Sequence, residues 1–181
     1  MKINSEVGSG VAISLAGFLW LLMEYALGLH DKYITYDPFI FWIVIIIPVV
    51  GIYWALKAKR DRFYEGKISF LQALTTGGMI TLVVSLITPL FTWLYVAVVN
   101  DKFFIKHIDH EREMIQQLGL NDATVIEQRL LEANQKYSVL NYLFNSFLFA
   151  FIVCAVLTVL ISAMIQKNTQ APLVVPEEEN R

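Results

Sequence analysis

Four long apolar blocks, parted by short charged stretches, set the pattern of this chain. They cover residues 11–29, 39–56, 70–99 and 139–165. At 1.5 Å rise per residue the shortest reaches about 27 Å as a helix, against a hydrocarbon core of about 30 Å. The blocks predict an all-α protein, an integral membrane four-helix bundle. Pro48 and Gly51 sit in the middle of the second block, where a missing backbone donor predicts a kink that neighbouring helices must cover. The third and fourth blocks exceed a perpendicular crossing, which predicts tilt or extension past the membrane. Thr88 and Pro89 add a place for the third to bend. Trp20, Trp42, Trp54, Trp93 and Tyr95 fall toward block ends, as in the aromatic belts of the two interfaces. The first block is longer than a signal-peptide core, and only Lys2 precedes it as a positive charge. It reads as a retained span, not a cleaved leader.

The sizeable polar region lies between the last two blocks, at residues 101–136. Phe104, Ile108, Ile115 and Leu118 recur near helical spacing, and Gly119 predicts a break. Asn121 or Asp122 is a natural N-cap for a second helix, with Thr124 and Glu127 a weaker capping-box match. Ile126, Leu130 and Ala133 share a face of that helix. The expected arrangement is a helical hairpin outside the bilayer, in which spans three and four continue and pack on each other. The alternative is a pair of helices lying flat on the membrane. Residues 1–167 then form a single membrane domain. Residues 168–181, with two prolines and a glutamate run, read as a disordered cytoplasmic tail.

Charge sets the orientation. Lys57, Lys59, Arg60, Arg62 and Lys67 crowd the link between blocks two and three, whereas the first link offers only Lys32. Positive loops stay in the cytoplasm, so residues 101–136 are expected outside and both termini inside. The five cations serve as an inner-face anchor and can also attract anionic lipid. Composition agrees with a bilayer. Of 181 residues 56% are hydrophobic, mean hydropathy is +0.55, and 17% are charged, against about 25% in soluble domains. A net charge of -2 gives no basic face for nucleic acid. Cys154, the sole cysteine, has no intramolecular disulfide partner and reads as a small packing residue.

Three groups of residues invite chemistry. Glu24 is the ionisable residue well inside a predicted span. It reads as a proton- or cation-handling carboxylate, or else as a structural carboxyl bonded to Thr, Ser or Tyr across the bundle; the second is favoured. Gly77, Thr81 and Ser85, with Gly78 and Thr88 alongside, form a small polar stripe on span three. Such a stripe lets helices approach closely or lines a polar path, and its uncharged side chains favour packing. His107, His110 and Glu111 share a helical face that suits zinc or manganese, with His30 and Asp31 on the same side. They are weak metal candidates. Met114 stands where a zinc-protease helix has its second histidine, and charged helices often carry two histidines by chance. GKIS at residues 66–69 is no nucleotide loop, because Asp61 and Ile68 occupy the positions of the required glycine and hydroxyl. It predicts instead a turn at Gly66 and a cap on span three at Ser69. No cofactor is expected.

Certain residues, in order, resemble a known family. Span one ends in EYALGLHDKY, and a basic link leads into EGKISFLQALTTGG, with Gly66, Ser69, Phe70, Gln72 and Ala73 at the start of span three. A long Ser/Thr-containing span, a Glu- and Gln-rich outer segment and a last helix ending in IQKN follow. From about residue 8 to residue 167 the chain resembles the bacterial membrane family catalogued as domain of unknown function 4199. The resemblance implies a four-helix inner-membrane protein of Gram-negative bacteria. It implies no activity, substrate or catalytic residue. The residues therefore favour a non-enzymatic scaffold, assembly or regulatory protein whose partners are the bilayer and itself or another membrane protein. The alternatives are a subunit of an oligomeric transporter or channel using Glu24 and the polar face of span three, and a metal-dependent enzyme on the outer face.

Overall fold

The computed structural model describes residues 4–29, 37–119 and 122–166, with side chains from residue 5 in the first helix and from residue 44 in the second. His30, Asp31, Lys32, the Trp42 side chain, Asn121 and the tail at residues 168–181 lie outside the described residues. The described residues hold six α-helices and no strand. These are α1 (Asn4–Ala26), α2 (Asp37–Phe63), α3 (Phe70–Leu94), α4 (Phe103–Gln117), α5 (Ala123–Lys136) and α6 (Val139–Ile165), with a π-helical turn at Tyr95–Val99.

Four of them are long and lie side by side. Gly10 faces Val83, Phe18 stacks on Phe91 and Tyr25 meets Tyr95, so α1 and α3 run parallel. Gly51 meets Ile13 while Lys59 meets Glu6, so α2 runs antiparallel to α1. Thr158 meets Gly77 and Thr81, while Tyr142 and Ser146 line one cavity with Thr88 and Thr92, so α6 runs antiparallel to α3. Ile52, Leu56, Ile80, Val84, Cys154 and Ile161 fill the shared core. Outside it the usual arrangement is inverted. Ser85 and Ser162 are fully buried, whereas Leu86 and Leu90 are 63% and 66% exposed. Water would penalise such a surface; hydrocarbon does not. Ser5–Ala26, Phe70–Val99 and Val139–Ile165 are long and apolar enough to cross a membrane. The helix α2 is not among them over its described residues, since from residue 44 it soon reaches Lys57, Lys59 and Arg60.

Local signals explain most boundaries. The helix α2 ends in a left-handed turn at Glu65 and Gly66 (φ 49° and 81°), which lets the Gly66 amide reach back to the Arg60 carbonyl. Ser69 then caps α3 in a full capping box with Gln72, as its position predicts. Ile68 and Ala73, flanking the cap, are both buried in the core like a hydrophobic staple. Gly119 (φ 62°) closes α4, and Asp122 caps α5 by accepting from the Thr124 amide. Thr124 thus lies inside the helix rather than starting a capping box. The helix α1 begins at Asn4, seven positions before the apolar block, because polar Ser5, Glu6 and Ser9 are still helical.

Three expectations need correction. The basic stretch is not a loop: Lys57, Lys59, Arg60 and Arg62 lie on the last turns of α2, and only Lys67 lies in the link. Spans three and four do not run unbroken into the hairpin. At one join the π turn ends at Asn100 (φ −132°, ψ 72°), and at the other Ser138 starts a new helix. Nor are Trp20 and Tyr95 belt residues. Tyr95 is fully buried and Trp20 turns inward, whereas Trp54 and Trp93 remain on the surface.

A β-carbon on Gly77 would lie 2.5 Å from Thr158 Cγ2, whereas one on Gly78 meets nothing. Gly77→Ala is expected to destabilise the protein by about 1–3 kcal/mol through overpacking. Gly78→Ala should be neutral or slightly stabilising, with detergent unfolding followed by circular dichroism as the measurement.

Candidate functional site

The interior polar groups fall into four places. The α3–α6 seam takes the stripe of span three. Thr81 and Thr158 share a buried hydrogen bond (3.0 Å), Gly77 admits Thr158 beside it, and the Ser85 hydroxyl donates to the Leu82 carbonyl. Gly78 points away from close neighbours. The stripe makes a helix contact.

At one end of the four helices, Lys59 and Glu6 form an ion pair at 2.7 Å with 6% and 4% of their side chains exposed. Ser5 donates a second hydrogen bond to the Glu6 carboxylate, and Lys59 Nζ stands 4.3 Å over the Phe63 ring. The other cations divide differently. Arg60 pairs with Asp61, while Lys57, Arg62 and Lys67 are exposed. Lys59 is therefore part of the interior rather than of the surface anchor. The pair was missed in the sequence because block one was started at residue 11. The available signal was that Glu6 shares a helix face with Gly10 and Ser14, both buried.

Near the opposite end of α1, Glu24 is buried, and its carboxylate accepts from the Trp20 indole one turn earlier. A cavity of about 260 Å³ adjoins this pair, between α1, α2, α3 and α6. Thr88 and Thr92 of α3, Ser146 of α6 and Pro48 of α2 line it together with Glu24. Of the predicted intramembrane candidates the structure thus brings Glu24 and Thr88 to one cavity, and sends Gly77 and Thr81 to the seam.

The fourth place is an aromatic hub beyond the π turn. Buried Tyr95 packs edge-on against Tyr25 and Phe103, and Asn100 donates to its hydroxyl (3.0 Å). His107 is buried here between Phe103 and Tyr137. Its Nδ1 lies 2.9 Å from the Phe103 carbonyl, which can only accept, so Nδ1 carries a proton. The His107–Tyr137 contact joins the start of α4 to the end of α5, making an antiparallel hairpin. His110 and Glu111 are half-exposed on the same helix. Among the described residues no three His, Cys, Asp or Glu side chains gather as a metal site would require.

Removing one member of a buried ion pair strands the other charge. Lys59→Met is expected to cost about 3–5 kcal/mol, whereas the double variant Glu6→Met/Lys59→Met should recover most of it. Detergent unfolding of the three proteins checks this. A single variant as stable as the parent would place the pair in water.

Comparison with curated proteins and with solved structures finds no match to the chain. A family model does match, over residues 9–167, which takes in all four long helices and the α4–α5 hairpin, apart from the first turns of α1. This chain belongs to the family described as protein of unknown function DUF4199.

Proposed function

We propose that this chain is a four-span protein of a bacterial inner membrane, with both termini in the cytoplasm. Its role is non-enzymatic: the bundle holds the α4–α5 hairpin outside as a docking element for another membrane protein or a second copy. The fourth crossing is α2, whose residues 40–56 carry no charge and whose 27 residues extend about 40 Å. An even number of crossings, with the cations of α2 and its following link inside, gives the orientation. The observation that carries the docking role is the hairpin surface. Ile105, Leu118 and Leu131 are 59%, 57% and 56% exposed in a segment otherwise rich in charge. Transport along span three has weaker support, since Gly77 and Thr81 engage Thr158. An outer-face enzyme has weaker support still, with His107 set among aromatic rings.

In a Cys154→Ser background, Glu113→Cys should react with a membrane-impermeant maleimide in intact cells. Arg62→Cys should react only after permeabilisation. The reverse pattern overturns the topology. A photo-crosslinking residue at position 105 or 131 should yield discrete adducts in native membranes, and a chain that stays free of adducts at both positions counts against docking.

A further inference from the structure

Two recesses between α1 and α2 join into one groove on the outer side of the bundle. The first, about 650 Å³, is lined by Ala16 of α1 and by Ile46, Val50, Gly51 and Trp54 of α2. The second, about 380 Å³, is lined by Ser5 and Glu6 of α1, Lys59 and Arg62 of α2 and Thr76 of α3. Ser9, Ala12, Ala55 and Ala58 belong to both, and their small side chains leave the passage open. Along α2 the groove runs from Ile46 to Arg62, about 24 Å, close to the ~20–22 Å of half a bilayer with its headgroups.

Charge enters this groove at one end. The first recess has no ionisable side chain in its wall. In the second, Glu6 and Lys59 hold each other at 2.7 Å, Ser5 donates to the Glu6 carboxylate (2.8 Å) and Ser9 to the Ser5 carbonyl (2.8 Å). The charges of that pair cancel. The carboxylate of Asp61, next in sequence to Arg62, is engaged by Arg60. Arg62 is exposed and makes no ion pair among the described residues, so the wall carries one surplus positive charge. A phosphodiester carries one negative charge, and a guanidinium can bind two of its oxygens at once. A helix of a second copy would present side chains at every depth. The groove instead turns from apolar to cationic once, where a lipid turns from tail to phosphate.

We propose that the groove between α1 and α2 binds one anionic phospholipid. Its phosphodiester lies against Arg62 with the Thr76 hydroxyl beneath, and one acyl chain occupies the apolar recess. This is a single site, distinct from a general attraction of the basic end of α2 for charged membranes. It rests on reading α1 and α2 as spans, which the maleimide labelling tests separately, and it is independent of the docking role of the hairpin.

The test uses the full chain in an uncharged detergent, titrated with dioleoylphosphatidylglycerol or dioleoylphosphatidylcholine. Native mass spectrometry counts the lipids retained on each chain. One phosphatidylglycerol should bind at least tenfold more tightly than phosphatidylcholine, through the charge-assisted pairing. Arg62→Gln should remove most of that preference. Lys57→Gln and Lys67→Gln, at exposed positions outside both recesses, should leave it within about twofold of the parent. Ala12 is exposed and stands where the recesses join, so Ala12→Phe blocks the groove and should weaken both lipids at least tenfold. Glycerol 3-phosphate, a headgroup without tails, should not displace the lipid. Circular dichroism establishes which variants fold, and if Ala12→Phe does not, Arg62→Gln against Lys57→Gln decides. Equal retention of the two lipids, equal losses from Arg62→Gln and Lys57→Gln, displacement by glycerol 3-phosphate, a folded Ala12→Phe that binds like the parent, or a dimer in place of the lipid complex would each overturn the proposal.

Discussion

Three glycines with no room for a β-carbon tie the long helices together. Gly10 admits Val83 between α1 and α3, Gly51 admits Ile13 between α1 and α2, and Gly77 admits Thr158 between α3 and α6. Lipid tails are as apolar as leucine, so helices in a bilayer gain little from burying leucine against leucine. Close approach supplies dispersion contacts and short hydrogen bonds in its place. The Thr81–Thr158 bond at 3.0 Å exists because Gly77, one turn away, lets α6 come close. Everything the interior does follows from that spacing, including the pair at one end and the cavity toward the other.

The interior polar groups obey the same constraint. An unpaired charge or hydroxyl is costly where water is scarce, and most of the described ones carry a local solution, the buried Ser162 hydroxyl excepted. Ser14, Ser85, Thr88 and Ser146 give their protons to carbonyls of their own helix, and Thr81 shares one with Thr158. Glu6 takes both Lys59 and Ser5, and Glu24 takes Trp20. The two carboxylates stand on one helix at residues 6 and 24, about 27 Å apart along its axis. One is closed by a cation from α2. The other is held by Trp20 in the wall of the cavity.

Much of this was legible in the residues. The blocks, the Gly66 turn, the Ser69 cap and the Gly119 break are local, and local sterics set them. The stripe at Gly77, Thr81 and Ser85 was also readable as a packing face, since small uncharged side chains suit little else. What escaped was non-local. That Lys59, alone among five neighbouring cations, turns inward depends on Glu6 more than fifty positions earlier. Trp20 and Tyr95 looked like interface residues by position, yet their partners Glu24 and Asn100 draw them inward. The stripe also parted at Thr88: eleven residues make close to three turns, so it keeps nearly the azimuth of Gly77 but stands about 16 Å farther along α3, in the cavity wall.

The five-residue turn at Tyr95–Val99 has one more consequence. The Asn100 amide bonds to the Tyr95 carbonyl across five positions rather than four (2.9 Å). That widened ring stores one surplus residue, and each residue of an α-helix turns the chain by about 100°. The turn therefore works as a phase shifter between two rigid parts. It sets the azimuth of the hairpin relative to the bundle below it.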